Sequence, residues 1–346
     1  MLLINKYTPN STEDTYFNNH LLESLKIISK DESVPHIMFF GPEGSGKKTL
    51  IKLFLEMIYD NTTNDLRESV YKVIGSGNKV TDVVVFQSDH HIIIEPGGNN
   101  FDKYLLHEIV KQYASRVKLN IFKSKKTFKT ILINRADELS RHAQSSLRRT
   151  MELYSGTCRF ILWGHSISKI IEPLRSRCIC FRVQSPSFCD MSYFINKICA
   201  KEKVHIKDIN DLCRMTKRSD GNIKKALWLI NFRKTGETTN NIYKKTINNI
   251  VSLIIKNKLN DVENIRLHMY SMFITTINAG HIIKDIMLQL CKNNILNEIT
   301  KMKIIGITAK YEHNFIRGRR DAIHFVGYVI NVMKIIKEQY DNECKN

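Results

Sequence analysis

Acidic residues are scarce in this chain of 346 residues: 34 Asp and Glu stand against 53 Lys and Arg, a formal charge of +19. The deficit points to an anionic partner, with nucleic acid the leading candidate. A genome biased towards Lys, Ile and Asn codons would raise the same charge without function. Proline (6) and glycine (15) are too few for a collagenous or linker-like polymer. No run of about 18 apolar residues occurs, so no membrane span is expected. The apolar part of the opening Met1–Asn10 is too short for a signal peptide, and an intracellular, soluble protein is expected. The eight cysteines, at positions 158, 178, 180, 189, 199, 213, 291 and 344, form no Cys-x-x-Cys pair and have no His pair at zinc spacing. No metal site is expected from them. Cys178 and Cys180 alternate along a strand and are expected to be buried free thiols on one face. What is present is enough apolar residue, 42%, to build real cores rather than a disordered chain. At about 150 residues per domain, the length suggests two or three domains.

The first half alternates helical and strand patterns. Helices are expected at Leu21–Ile28, from Lys47 through Ile58, at Tyr104–Arg116 and at Ser140–Tyr154. Strands are expected at His36–Phe40, Val83–Phe86, Ile92–Ile94, Thr130–Ile133, Arg159–Trp163 and Cys178–Val183. Strands separated by helices imply a parallel sheet covered on both faces. After Pro186 no strand is expected. Phe188–Lys201, Lys207–Lys217 and Asn222–Lys234 read as three short helices, the polar stretch Gly236–Asn241 as a linker, and the remainder as helical, with Phe325, Tyr328, Val329, Val332 and Ile335 on one stripe. The expected organisation is an α/β domain at 1–184, a small helical domain at 185–236 and a larger helical domain at 237–346, with no internal repeat.

Gly41-Pro42-Glu43-Gly44-Ser45-Gly46-Lys47 follows a strand and opens a helix, the context of a phosphate-binding loop. Glycines let backbone N–H groups turn inward around a phosphate, the helix N-terminus adds its positive end, and Lys47 reaches the terminal phosphates. The next position normally carries the hydroxyl that ligates Mg²⁺. Here it is Lys48, and Thr49, one residue and about 100° of helix further on, cannot point the same way. The second half of such a site is an acidic pair at the end of a buried strand. After Thr130–Ile133 come Asn134 and Arg135, and only then Ala136, Asp137 and Glu138. With Asn134 and Arg135 in the pair's place, the metal ligand and the water-activating base are both missing. Whether Mg²⁺ binds is left open.

Together these segments resemble the small subunits of replication factor C, the clamp loader of eukaryotes and archaea. The resemblance rests on Lys6-Tyr7-Thr8-Pro9, on Ala143-Gln144 with Leu147-Arg148-Arg149-Thr150-Met151-Glu152, and on Ser168 through Glu172-Pro173 to Ser176-Arg177-Cys178. The chain is similar to the small subunit that has a Gly-Lys-Lys-Thr loop and Asn in place of the metal-orienting Asp; Tyr311-Glu312-His313 resembles that subunit's collar. The resemblance implies an AAA+ fold with a helical lid and a helical collar joining five subunits. It implies ATP or ADP held at Gly41–Thr49 with the adenine near Tyr7 and Pro9. His165 takes the place of the Asn that senses the γ-phosphate, and Lys224 that of the lid arginine. Arg177 is implied to be an arginine finger that reaches a neighbour's γ-phosphate. His107, Lys111 and Arg116 are implied to follow DNA phosphates. Other clamp-loader subunits, a sliding clamp and primer–template DNA are the implied partners, in a nucleus or a viral replication site. The implied function is a replication subunit that binds nucleotide without hydrolysing it in cis. Two other readings stay open: an active AAA+ ATPase using Asp137 and Glu138, and a nucleic-acid-binding scaffold that never binds nucleotide.

Overall fold

The computed structural model describes residues 2–59, 65–75, 80–97, 101–115, 128–206, 208–235, 242–258, 261–274, 277, 279–294, 296–318 and 321–343. The chain divides into two compact units, residues 1–237 and 238–346.

Among the described residues, the first unit is built on seven strands: β1 Ile37–Phe40, β2 Arg67–Ile74, β3 Val80–Gln87, β4 His91–Ile94, β5 Lys129–Ile133, β6 Cys158–Gly164 and β7 Ile179–Arg182. They lie in the order β2-β3-β4-β5-β6-β1-β7. From β4 through β7 all neighbours are parallel. The residues of these strands alternate between two cores, as a pleat requires. Met38, Ile131, Ile133, Phe160 and Leu162 pack with α4 (Asp102–Ser115) and α5 (Arg141–Leu153). Ile37, Phe39, Leu132, Ile161 and Trp163 pack with α2 (Asn19–Lys30) and α3 (Lys47–Tyr59). These are the two helical layers that the sequence pattern implied.

The sheet departs from the expected all-parallel form at one end. β2, absent from the sequence reading, pairs antiparallel with β3, and β3 antiparallel with β4. The connection between β2 and β3 is only five residues, enough for a hairpin but not for a parallel crossover. One face of this hairpin is covered through Tyr71, Val73 and Val85. The other leaves Val70, Ile74, Val80, Val84 and Phe86 exposed, with Val70 opposite Val84 and Ile74 opposite Val80. At the opposite edge, among the described residues, β7 has β1 alone beside it. Cys180 there is exposed and Cys178, just before the strand, half-buried, so the expected pair of buried thiols is not formed. Cys158 and Cys199 are the buried thiols; Cys344 lies outside the described residues.

After a short turn of helix, α6 (Glu172–Arg175), three helices follow the sheet: α7 Phe188–Lys201, α8 Ile209–Ser219 and α9 Ile223–Lys234. Their core of Met191, Phe194, Ile195, Ile198, Leu227 and Ile230 also takes in Leu3, from α1 (Leu3–Lys6) at the start of the chain. The second unit is all helical among its described residues: α10 Ile242–Lys256, α11 Asp261–Ile274, α12 Ala279–Cys291, α13 Glu298–Arg317 and α14 Asp321–Glu343. Phe325, Tyr328, Val329 and Val332 of the predicted stripe are buried, joined by Ile336, while Ile335 is only partly covered. The expected linker Gly236–Asn241 lies outside the described residues.

Candidate functional site

The loop Gly41–Lys47 leaves β1 at the carboxyl edge of the sheet and runs into α3. Ile37, Met38 and Phe39 of β1 are buried between β6 and β7, so the loop starts from a strand held on both sides. Gly44 has φ +74°, and a Cβ there would lie 2.1 Å from the Asn222 side chain. Only glycine therefore allows this turn beneath α9. Ser45 and Lys47 are buried; Pro42, Glu43 and Lys48 are exposed. The Lys47 ammonium donates to the carbonyls of Gly41 and Pro42, each at 2.7 Å. Desolvation pulls its pKa down, and the nearby Asp137 and Glu43 oppose that shift.

Beside the loop is a cavity of about 130 Å³. Tyr7, Pro9, Gly44, Ser45, Gly46, Thr49 and Lys224, all named from the sequence, line it together with Tyr16, Phe17 and Phe194. The last three carry no local sequence signal: they belong to segments that meet only in the fold. The Ile223 N–H donates to the Gly44 carbonyl at 3.1 Å, seating the start of α9 on the loop. Glycines that admit close approach, a helix N-terminus and a lysine beside an aromatic-walled cavity fit a nucleoside polyphosphate.

The far side of the loop does not fit a metal. Asn134, the first residue after β5, is buried, and both ends of its amide are engaged. Nδ2 donates to Glu95 at 2.5 Å, and Oδ1 accepts from Trp163 Nε1 at 2.6 Å. Arg135 turns away, at φ +48°, its side chain exposed and 3.5 Å from Glu138. Lys48 points to the same side, 3.9 Å from Glu95 and 5.4 Å from the centre of the Trp163 ring. His165, directly after β6, stands edge-on to Trp163 at 5.6 Å and is not among the residues that line the loop's cavity.

Asp137 lies in a 3₁₀ turn, Ala136–Glu138, and is buried. Its Oδ2 accepts from the Ser166 N–H at 3.4 Å, while Oδ1 has no hydrogen-bond partner among the described residues. The start of α5 is capped by Ser140, whose hydroxyl accepts from the Ala143 N–H at 3.2 Å. Arg177 follows α6. Its guanidinium donates to the Pro173 carbonyl at 2.7 Å and pairs with Glu152 of α5. His107 and Lys111 are exposed one turn apart on α4, with His107 at 3.4 Å from Glu108. Arg116 lies outside the described residues.

Residues 17–187 match the family model described as DNA polymerase III, delta subunit, and residues 243–340 that described as replication factor C subunit 3, C-terminal domain. A replication factor C small subunit of Acanthamoeba polyphaga mimivirus is 37% identical over 339 residues, 96% of this chain and 91% of that one. Replication factor C subunit 5 of Oryza sativa subsp. japonica is 29% identical over 351 residues, 98% of each chain. The solved structure of a DNA polymerase III gamma-subunit-related protein from Thermotoga maritima shares the fold, with a TM-score of 0.51 at 13% identity, covering 91% of this chain and 99% of that one. A phosphate loop set in a sheet of this order, a helical second unit matching a replication factor C domain, and likeness to these relatives along nearly the whole chain lead to one assignment: the chain belongs to the replication factor C small-subunit family of AAA+ proteins.

Proposed function

We propose that this clamp-loader subunit holds ATP or ADP at Gly41–Thr49 without turning it over in cis, and supplies Arg177 to a neighbouring subunit's site. The observation that carries the first part is Asn134, standing at the end of β5 with both amide atoms engaged and Arg135 beside it turned to solvent. Neither residue offers the carboxylates that orient a metal and activate water. The nucleotide's base lies against Tyr7 and Pro9, its phosphates against the loop, Lys47 and Lys224, with His165 towards the terminal phosphate. Residues 1–184 serve as the nucleotide-binding domain, 185–236 as its lid and 237–346 as a collar. The exposed Ile299, Met302 and Ile305 on one side of α13 suit a collar helix that packs against other subunits of a hetero-pentamer. His107 and Lys111 contact DNA phosphates, which position without reading sequence, as loading a sliding clamp at any primer–template end requires. The place of work is a nucleus or a viral replication site.

The test is the assembled complex containing Arg177→Ala. Nucleotide binding by this chain is expected to stay intact, while the served site loses roughly 10³-fold in rate. The whole-complex rate falls by less, since one site of several is served. Full ATPase and full clamp loading would make Arg177 structural. The unpartnered Oδ1 of buried Asp137 favours a second reading, an active site using Asp137 and Glu138. Asp137→Asn in the complex separates the two: a rate loss of about a hundredfold supports the second, and an unchanged rate the first.

A further inference from the structure

Where a nucleotide site of this kind would keep its divalent cation, this chain presents a cation of its own. Thr49 lines the cavity with Tyr7 and Pro9, whereas Lys48 lines a separate cavity with Glu95, Asn134 and Trp163. The hydroxyl one residue late is thus on the wrong side. Asn134 offers a metal only an uncharged amide oxygen, one that already accepts from the indole N–H at 2.6 Å. Meanwhile two ammonium groups converge on a single indole: Lys47 stands 5.6 Å and Lys48 5.4 Å from the centre of the buried Trp163 ring. An indole face attracts cations and holds both near the loop. Glu95 is close enough to orient Lys48, but at 3.9 Å, with both side chains about two-thirds exposed, the pair is weak. Its four-carbon stem leaves the ammonium free to swing onto a phosphate. Mg²⁺ needs a near-octahedral shell of oxygen ligands and would meet a positive charge at this point.

On the reading that this loop holds a nucleoside di- or triphosphate, we infer that the Lys48 ammonium replaces the divalent cation, so that the nucleotide binds free of metal. The experiment is equilibrium binding of labelled ADP to the full chain, once with Mg²⁺ and once with EDTA. Affinity is expected to be the same in both. Lys48→Ala, a change at an exposed side chain, is expected to lose about tenfold in EDTA, the loss of one charge-assisted contact, and Lys48→Arg to retain most of the affinity. A loss of about tenfold or more when wild-type protein is moved from Mg²⁺ to EDTA would overturn the inference; Asp137→Asn and Glu95→Gln then show which carboxylate holds the metal. Unchanged affinity in Lys48→Ala would overturn it equally. Absence of ADP binding under both conditions removes the nucleotide-holding reading itself, and this inference with it; binding in Mg²⁺ alone removes only the inference.

Discussion

Glu202, at the end of α7, joins three separate stretches of chain through one buried carboxylate. Lys6 donates to it at 2.6 Å, the Tyr7 hydroxyl at 2.7 Å and Lys234 of α9 at 2.6 Å. Lys234 first, then Lys6 and Tyr7, hold its carboxyl down to about 2, against an ordinary value of 4.5. A carboxyl depressed in the folded state contributes stability in full above its unfolded pKa and loses it as pH falls through the folded one. The contribution is therefore complete above about 4.5 and lost towards 2. Glu202→Gln is expected to lower the melting temperature at neutral pH, and the gap to wild type should narrow as pH falls from 4.5 to 2. His36 and His91, each depressed to about 4 by burial, act in a higher window common to both proteins. Melting curves over that range check this; a gap that does not change with pH would assign Glu202 a packing role. Nothing in the sequence singles out Glu202, because its partners lie far along the chain. The positions of Lys48 and Asn134, by contrast, were legible, since they follow from spacing from a glycine loop and from a strand end. Glu95 and Trp163 became meaningful only once β4, β5 and β6 lay side by side.

At the scale of elements, the joint between the loop and α9 is a close contact, with no room for a Cβ on Gly44. Asn222 caps α9 by accepting from the Lys225 N–H at 3.1 Å, and its side chain fills the space a Cβ on Gly44 would need. Gly44→Ala is expected to cost about 1–2 kcal/mol for the left-handed backbone, plus whatever the displaced cap loses. Asn222→Ala removes the cap, at about 1 kcal/mol. Because both act on one contact, the double variant should be destabilised by less than the sum of the singles. Denaturant unfolding of the four proteins measures this, and strict additivity would refute the shared contact. Helices here were legible from their periodicity: Leu50, Ile51, Leu53, Phe54 and Ile58 of α3 are all buried. β2 was not legible, because Val70, Tyr71, Val73 and Ile74 place apolar side chains on both faces and erase the alternation that marks a half-buried strand.

For the molecule as a whole, the compositional deficit in acid and the succession of an α/β region and helical regions were open to inspection from the sequence, since both are sums over many residues. The antiparallel end of the sheet depended on one five-residue connection and was not. That end is expected to govern how the protein behaves in a tube. Among the described residues β2 closes the sheet order, and although Gln112 of α4 donates to the Lys72 carbonyl at 3.1 Å, the strand's outer backbone edge can template another strand, and the uncovered valines and isoleucine beside it make such pairing sticky. Concentrating the chain without its companions should therefore drive it into soluble aggregates and then precipitate. Val70→Glu with Val84→Lys places opposite charges across from each other on the hairpin, at two exposed positions, where the cost to folding should stay within about 0.5 kcal/mol. Light scattering across a concentration series is expected to show the variant remaining monodisperse where the parent does not. Identical scattering would place the stickiness elsewhere. If the hairpin is its source, the practical yield of this protein is limited by how quickly the sheet's edge finds a cover, and co-expression with that cover, rather than a change of buffer, is the remedy.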